Sequence, residues 1–198
     1  MIAAADLESA ARGLGLESIE GGRHPGWGTA NRIVPLGDSY LELIAVVDRD
    51  EAEGSGFGRA VLKALAEDRP LVGWVLATDD IDAVAGRLDL EVESKSRERA
   101  DGSTLSWRLA GLDAAMESGV RPFFVQWEGS PEDRPGAAEA RHDADPEGIA
   151  WIEVTTDDEE SLRDWLGDFD DPKLRIAEGD PALCKVAIDM AGGEVVFH

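Results

Sequence analysis

The sequence predicts an α+β fold assembled from repeated β-α-β-β-β units, and three observations lead there. DLESAARGL (6–14), DIDAVAGRL (80–88) and DEESLRDWL (158–166) each open on aspartate and then place apolar residues at helical spacing. The second and third are entered from LVGWVLATD (71–79) and IAWIEVTTD (149–157), apolar β-branched runs that each carry a tryptophan. Each is followed by alternating, strand-like segments that end at glycine-containing turns.

Taken in order, MIAAA is a short first strand, and Asp6 caps the first helix because its carboxylate accepts the free N–H groups of the first turn. LESIEGG, NRIVPL and SYLELIAVV read as strands, the last two separated by the turn Leu36-Gly37-Asp38. GFGRAVLKALAED (56–68) places Val61, Leu62 and Leu65 at helical spacing and reads as a connecting helix. Unit two follows as the strand at 71–79, a helix capped by Asp80, a turn at Asp101-Gly102, and the strands STLSWRLAGL and PFFVQWEG. GSPEDRPGAAEARHDADPEG (129–148) is rich in proline, glycine and charge and reads as a surface linker with His142 exposed. A third unit runs through a helix capped by Asp158 and the strands LRIAEGD, LCKVAID and GEVVFH, with a turn at Gly192-Gly193. The expected organisation is unit one at 1–48, a connecting helix at 56–68, unit two at 70–128, a linker at 129–148 and a third unit at 149–198.

Composition bounds the function classes. With 198 residues and 43% hydrophobic content the chain buries a core without disulfides, and its one cysteine, Cys184, lies in an apolar run where a thiol acts as a small hydrophobe. A net charge of −23 repels phosphate backbones and anionic membranes, so nucleic acid and membrane are poor partners. The acidic run at 157–171 is a solvated helix face before it is a cation site. Asp6, Glu8, Glu17 and Glu20 argue against a secretory leader, and no apolar run reaches the roughly 20 residues that cross a bilayer. A soluble, cytoplasmic protein is expected.

The repeated unit resembles the vicinal oxygen chelate superfamily, which includes glyoxalases, bleomycin-resistance proteins and extradiol dioxygenases. GGRHPGWGTANRIVPLGDSYLELIAVVD, GWVLATDDIDAV, WRLAGL and PFFVQWE resemble bacterial glyoxalase-like domain proteins. The resemblance implies that units one and two pair about a pseudo-twofold axis and enclose a cleft between curved sheets, with the third unit added at the C-terminal end. It also implies, for metal-using members, ligands on the first and last strands of each unit. On this chain the last-strand position of unit one is Glu42 in YLELI, and setting YLEL against FVQW gives Gln126 in unit two. The first-strand positions supply nothing: Gly73 and Trp74 stand there before Asp80, and before Asp6 the position lies at or beyond Met1.

A metal site therefore needs a third donor. His24, in GGRHPGWGTANR, is the candidate, so that Glu42, Gln126 and His24 would hold a divalent ion such as zinc, nickel, iron or manganese. Glu42 would then be the catalytic group, moving a proton while the ion polarises a carbonyl or enediolate. Against this, an inward Glu42 can simply pair with Arg32 or Arg108, and Gln126 can bond the backbone in the core. A loop histidine is ordinarily a turn residue, and conventional ligands sit on strands. Without a metal, His24, Trp27, Thr29 and Asn31 combine a proton-transfer group, a stacking face and two hydrogen-bonding side chains, a mixture found in small-ligand pockets. The chain has six tryptophans. Trp74, Trp107, Trp127 and Trp151 fall on strands, where packing in the core comes first, and one or two, Trp74 among them, are candidates for the cleft wall.

The sequence thus favours a small-molecule-binding protein with a degenerate or absent metal site, and the one cofactor it leaves open is that divalent metal ion. The alternative is a divalent-metal-dependent lyase, isomerase or dioxygenase of the glyoxalase type. The unpaired third unit leaves two options, packing on the first two or pairing across a homodimer.

Overall fold

The computed structural model describes residues 1–13, 15–98, 102–143 and 145–198. Unit one comprises β1 (Ile2–Ala3), α1 (Leu7–Gly13), β2 (Ile19–His24), β3 (Thr29–Leu36) and β4 (Ser39–Val46). Two helices, α2 (Arg49–Gly54) and α3 (Gly56–Ala66), connect it to unit two. Unit two comprises β5 (Val75–Ala77), α4 (Ile81–Leu88), β6 (Val92–Glu98), β7 (Thr104–Ala110), α5 (Leu112–Ser118) and β8 (Phe123–Trp127). The third unit is β9 (Pro146–Thr156), α6 (Glu159–Leu166), β10 (Leu174–Glu178), β11 (Ala182–Met190) and β12 (Gly193–Phe197). The turn expected at Asp101-Gly102 begins outside the described residues.

The aspartates do what their positions predict. Asp6 accepts from Ser9 N at 2.6 Å, Asp80 from Ala83 N at 3.0 Å and Asp158 from Ser161 N at 2.9 Å. Each satisfies one orphan donor of a first helical turn.

Units one and two are topological copies. Their strand orders are β1-β4-β3-β2 and β5-β8-β7-β6, with the first and last strands of each unit parallel and the rest antiparallel. The sheets join where residues 70–73 run beside β1, with Ala3 N donating to Pro70 O at 2.7 Å and Val72 N to Met1 O at 3.0 Å. At the far edges, Arg97 on β6 donates to the carbonyl of Gly21 on β2. The two sheets therefore enclose a space that is bridged on both sides.

The third unit keeps the element order but not the pairing. Its sheet order is β10-β9-β11-β12, so its first strand lies inside the sheet, parallel to its second strand, rather than beside its last. It packs on the outer face of sheet one: Val34, Leu41 and Leu43 share a core with Val154, Leu162, Leu183 and Ile188. Leu43, Val154 and Ile188 have no exposed surface, each such burial being worth about 1.5–3 kcal/mol. Trp165 of α6 reaches unit two, packing with Ile81, Ala110 and Phe124 and donating its indole N–H to Pro122 O at 2.8 Å.

Residues 129–148 are less of a free linker than their composition predicts. Pro135 and Gly136 are buried, and Gly37 N donates to Gly136 O at 3.0 Å. His142, expected to be exposed, is half-buried: its Nδ1 accepts from Glu17 N at 3.1 Å and its Nε2 lies 2.8 Å from Pro35 O.

Candidate functional site

Strand alternation aims the site. On β4, Leu41 and Leu43 face the third unit, which turns Tyr40 and Glu42 into the space between the first two sheets. On β7 and β8 the same period directs Leu105, Trp107 and Leu109, then Phe123, Val125 and Trp127, into that space. The result is a cleft of about 160 Å³ with a largely apolar wall. Trp107 and Trp127 lie 5.6 Å apart by ring centroids, and Tyr40 meets Trp127 edge-on at 6.4 Å.

Glu42 does not pair with arginine. Arg32 is held by Ser18 through its Nε at 2.7 Å, and Arg108 forms a bidentate pair with Asp82 at 2.7 and 2.6 Å. Glu42 instead accepts a short hydrogen bond from Asn31 Nδ2, while Asn31 Oδ1 accepts from Gly22 N at 2.7 Å. This arrangement needs the bulge in β2, where the register with β3 shifts between Glu20 and Arg23. It also needs glycine at 21, because a Cβ there would come within 1.9 Å of Asn31 Oδ1 and 2.7 Å of Asn31 O.

His24 is not in a loop. It is the last residue of β2, paired with Thr29 at the start of β3, and the turn between them is only residues 25–28. His24 therefore stands on a strand, where the resemblance places conventional ligands, and Pro25, Gly26 and Gly28 form the tight hairpin turn itself. Its Nδ1 lies 2.8 Å from the hydroxyl of Thr29, which is 1% exposed and sits behind the ring rather than at the cleft surface. Burial lowers the His24 pKa below its ordinary value, with Glu42 opposing the shift and Arg97 adding to it. Burial thus favours the neutral imidazole over the charged one. Burial, reinforced by Glu42, raises the Tyr40 phenol above its ordinary range.

The connecting helices hold the turn. Gly28, at φ +66°, sits so close to α2 that a Cβ would lie 2.3 Å from Asp48 O and 2.4 Å from Ala52 N. Its carbonyl accepts from Val47 N at 2.9 Å. Trp27, thus fixed, packs 5.2 Å from Phe57 and 5.5 Å from His24, with Lys95 Nζ 5.3 Å above its ring.

Of the candidates, His24, Trp27, Asn31 and Glu42 converge on the cleft. Gln126 does not. Its Oε1 accepts from Ile81 N at 3.1 Å, capping α4, and its Nε2 donates to Asp79 O at 2.8 Å just before that helix, so both ends of the amide are used on the opposite face of β8. Setting YLEL against FVQW was one residue out of phase, and a one-residue slip exchanges the faces of a strand. Trp74 is likewise core, 6% exposed, with its indole N–H donating to Val120 O at 2.7 Å. Tyr40, Phe57, Lys95, Arg97 and Pro135 line the cleft unforeseen. For Lys95 and Arg97 the available signal was their two-residue spacing in VESKSRE, which a charged edge strand would show.

The family model described as glyoxalase-like domain matches residues 1–169. The chain belongs to the glyoxalase-like domain family. No functionally curated protein matches the sequence. Among solved structures, a hypothetical protein from Staphylococcus aureus matches this glyoxalase-like chain with a TM-score of 0.63 at 18% identity, over 94% of this chain and 92% of its own. That likeness is one of fold and includes the third unit. Methylmalonyl-CoA epimerase from Mycobacterium tuberculosis matches over 66% of this chain and 85% of its own, with TM-score 0.41 and 18% identity.

The family resemblance carries with it a divalent metal held by first- and last-strand ligands, and the residues present do not fit one. Val75, Phe123, Val125 and Trp127 are the cleft-facing side chains of β5 and β8, and none is a metal donor. Glu42 and His24 are the two donors left from the expected set. Among the described residues no group of three or more His, Cys, Asp or Glu side chains could hold a metal ion. A catalytic metal needs about three protein ligands. Nor is any helix among the described residues long and apolar enough to cross a membrane.

Proposed function

We propose that this glyoxalase-like protein binds a small, partly apolar organic molecule between its first two sheets, without a metal ion. The observation that carries the reading is the wall around Glu42: aromatic and aliphatic side chains from β7, β8 and α3 face one oriented carboxylate and one neutral imidazole. Few, well-placed polar groups in an apolar pocket are what a small-ligand site requires. Glu42 accepts a hydrogen bond from the ligand or takes up its proton, and His24 offers a second polar contact.

Because Trp27, Trp107 and Trp127 line the cleft, occupancy is read directly from tryptophan emission. Titration with the neutral fluorophore phenylnaphthylamine is expected to give saturable energy transfer at one molecule per chain, unchanged by exhaustive chelation. Absence of saturable binding, or loss of binding on chelation restored by zinc, nickel, iron or manganese, would overturn the proposal.

A further inference from the structure

The chain carries 42 acidic residues against 19 basic ones, yet among the described residues that line the cleft the balance is inverted: Arg23, Lys95 and Arg97 stand against the single carboxylate of Glu42. We infer that the cleft selects an organic anion, with its acid group at Lys95 and Arg97 and its flat apolar body against Trp107 and Trp127. The inference rests on the proposed binding of a small apolar molecule and adds its charge class.

The cations are placed by the fold. Lys95 and Arg97 are two residues apart on β6 and so share a face of that edge strand. Arg97 spans the open seam between β2 and β6 by donating to Gly21 O, which fixes its charge at the cleft edge. Lys95 lies over Trp27, and its other partner is Glu93 at 2.7 Å, whose side chain is 53% exposed. An ion pair that open is weak and screened, so a ligand acid competes for the ammonium on favourable terms. Glu42 comes from β4, in the interior of sheet one, rather than from the β6 edge, and repels an acid group placed beside it. The two signs of charge therefore orient an anion with its acid outward. An organic cation meets the opposite situation: the Trp27 face that would attract it is already covered by Lys95.

Two fluorophores on one scaffold test this, anilinonaphthalene sulfonate and the neutral phenylnaphthylamine. The sulfonate is expected to bind about tenfold tighter, the gain of one charge-assisted contact, and to weaken with added salt while the neutral probe does not. Lys95→Glu removes the preference and Glu93→Gln, at an exposed site outside the cleft lining, increases it and leaves the neutral probe unaffected. Equal affinities for the two probes, or a preference indifferent to both substitutions, would overturn the anion assignment and leave the apolar-ligand reading standing. Binding of neither probe would overturn both.

Discussion

Asn31 and Glu42 are diagonal neighbours across β3 and β4, and the amide of Asn31 ties the carboxylate of Glu42 to the backbone of Gly22 on β2. Three strands thereby fix one carboxylate. Asn31→Ala should cost about 1–2 kcal/mol, since it frees a Gly22 N–H and a half-buried Glu42 together. Gly21→Ala acts through the same contact, because its Cβ displaces the Asn31 amide. The double substitution, followed by urea denaturation, should therefore cost clearly less than the sum of the two.

His24 gives stability a pH dependence of defined sign. Its folded pKa lies below the ordinary 6.5, so the unfolded chain takes up the proton first. Stability should therefore fall as pH drops from about 6.5 towards the folded pKa, and His24→Gln should remove this part of the loss. Glu42→Gln removes the charge that opposes the shift and should lower the midpoint of the His24 ring resonances still further, as followed by NMR.

Gln126→Ala separates capping from binding. Loss of its bonds to Ile81 N and Asp79 O should lower stability by about 1–2 kcal/mol. Affinity for phenylnaphthylamine should not change, because the side chain lies behind β8.

Trp165 joins the third unit to unit two through its packing on Phe124, its bond to Pro122 O and the guanidinium of Arg121, 4.8 Å from its ring. Trp165→Ala should cost about 3–5 kcal/mol. Unfolding watched by near- and far-UV circular dichroism should remain one transition, since units one and three share a core.

α1, α4 and α6 were legible because each begins at an aspartate whose role is local, α3 because its apolar spacing is, and the long strands because alternation is local too. Three elements were not. α2 and α5 are short and have weak patterns, and β6 is so charged that its two-residue period resembles a loop. The exchange of strand order in the third unit leaves no trace in its sequence, because pairing is decided by long-range contacts. In the site, Glu42 was found because the resemblance to the vicinal oxygen chelate superfamily marks the last strand of unit one as a ligand position. Gln126 was placed by setting FVQW against YLEL but caps a helix, and only the register of β7 against β8 distinguishes the two. His24 was undervalued because a four-residue turn flanked by glycine-rich strands looks like one continuous loop.

The two walls of the cleft are built by the same topology and furnished differently. Glu42, Asn31 and His24 all come from sheet one, whereas β7 and β8 answer with indoles, phenyl rings and aliphatic groups. A polar handle on one side, a flat surface opposite and a cationic edge define three non-equivalent directions. Were the two walls alike, any occupant could be seated in two ways related by the pseudo-twofold axis; the unequal furnishing of the walls removes that equivalence and gives the cleft one orientation.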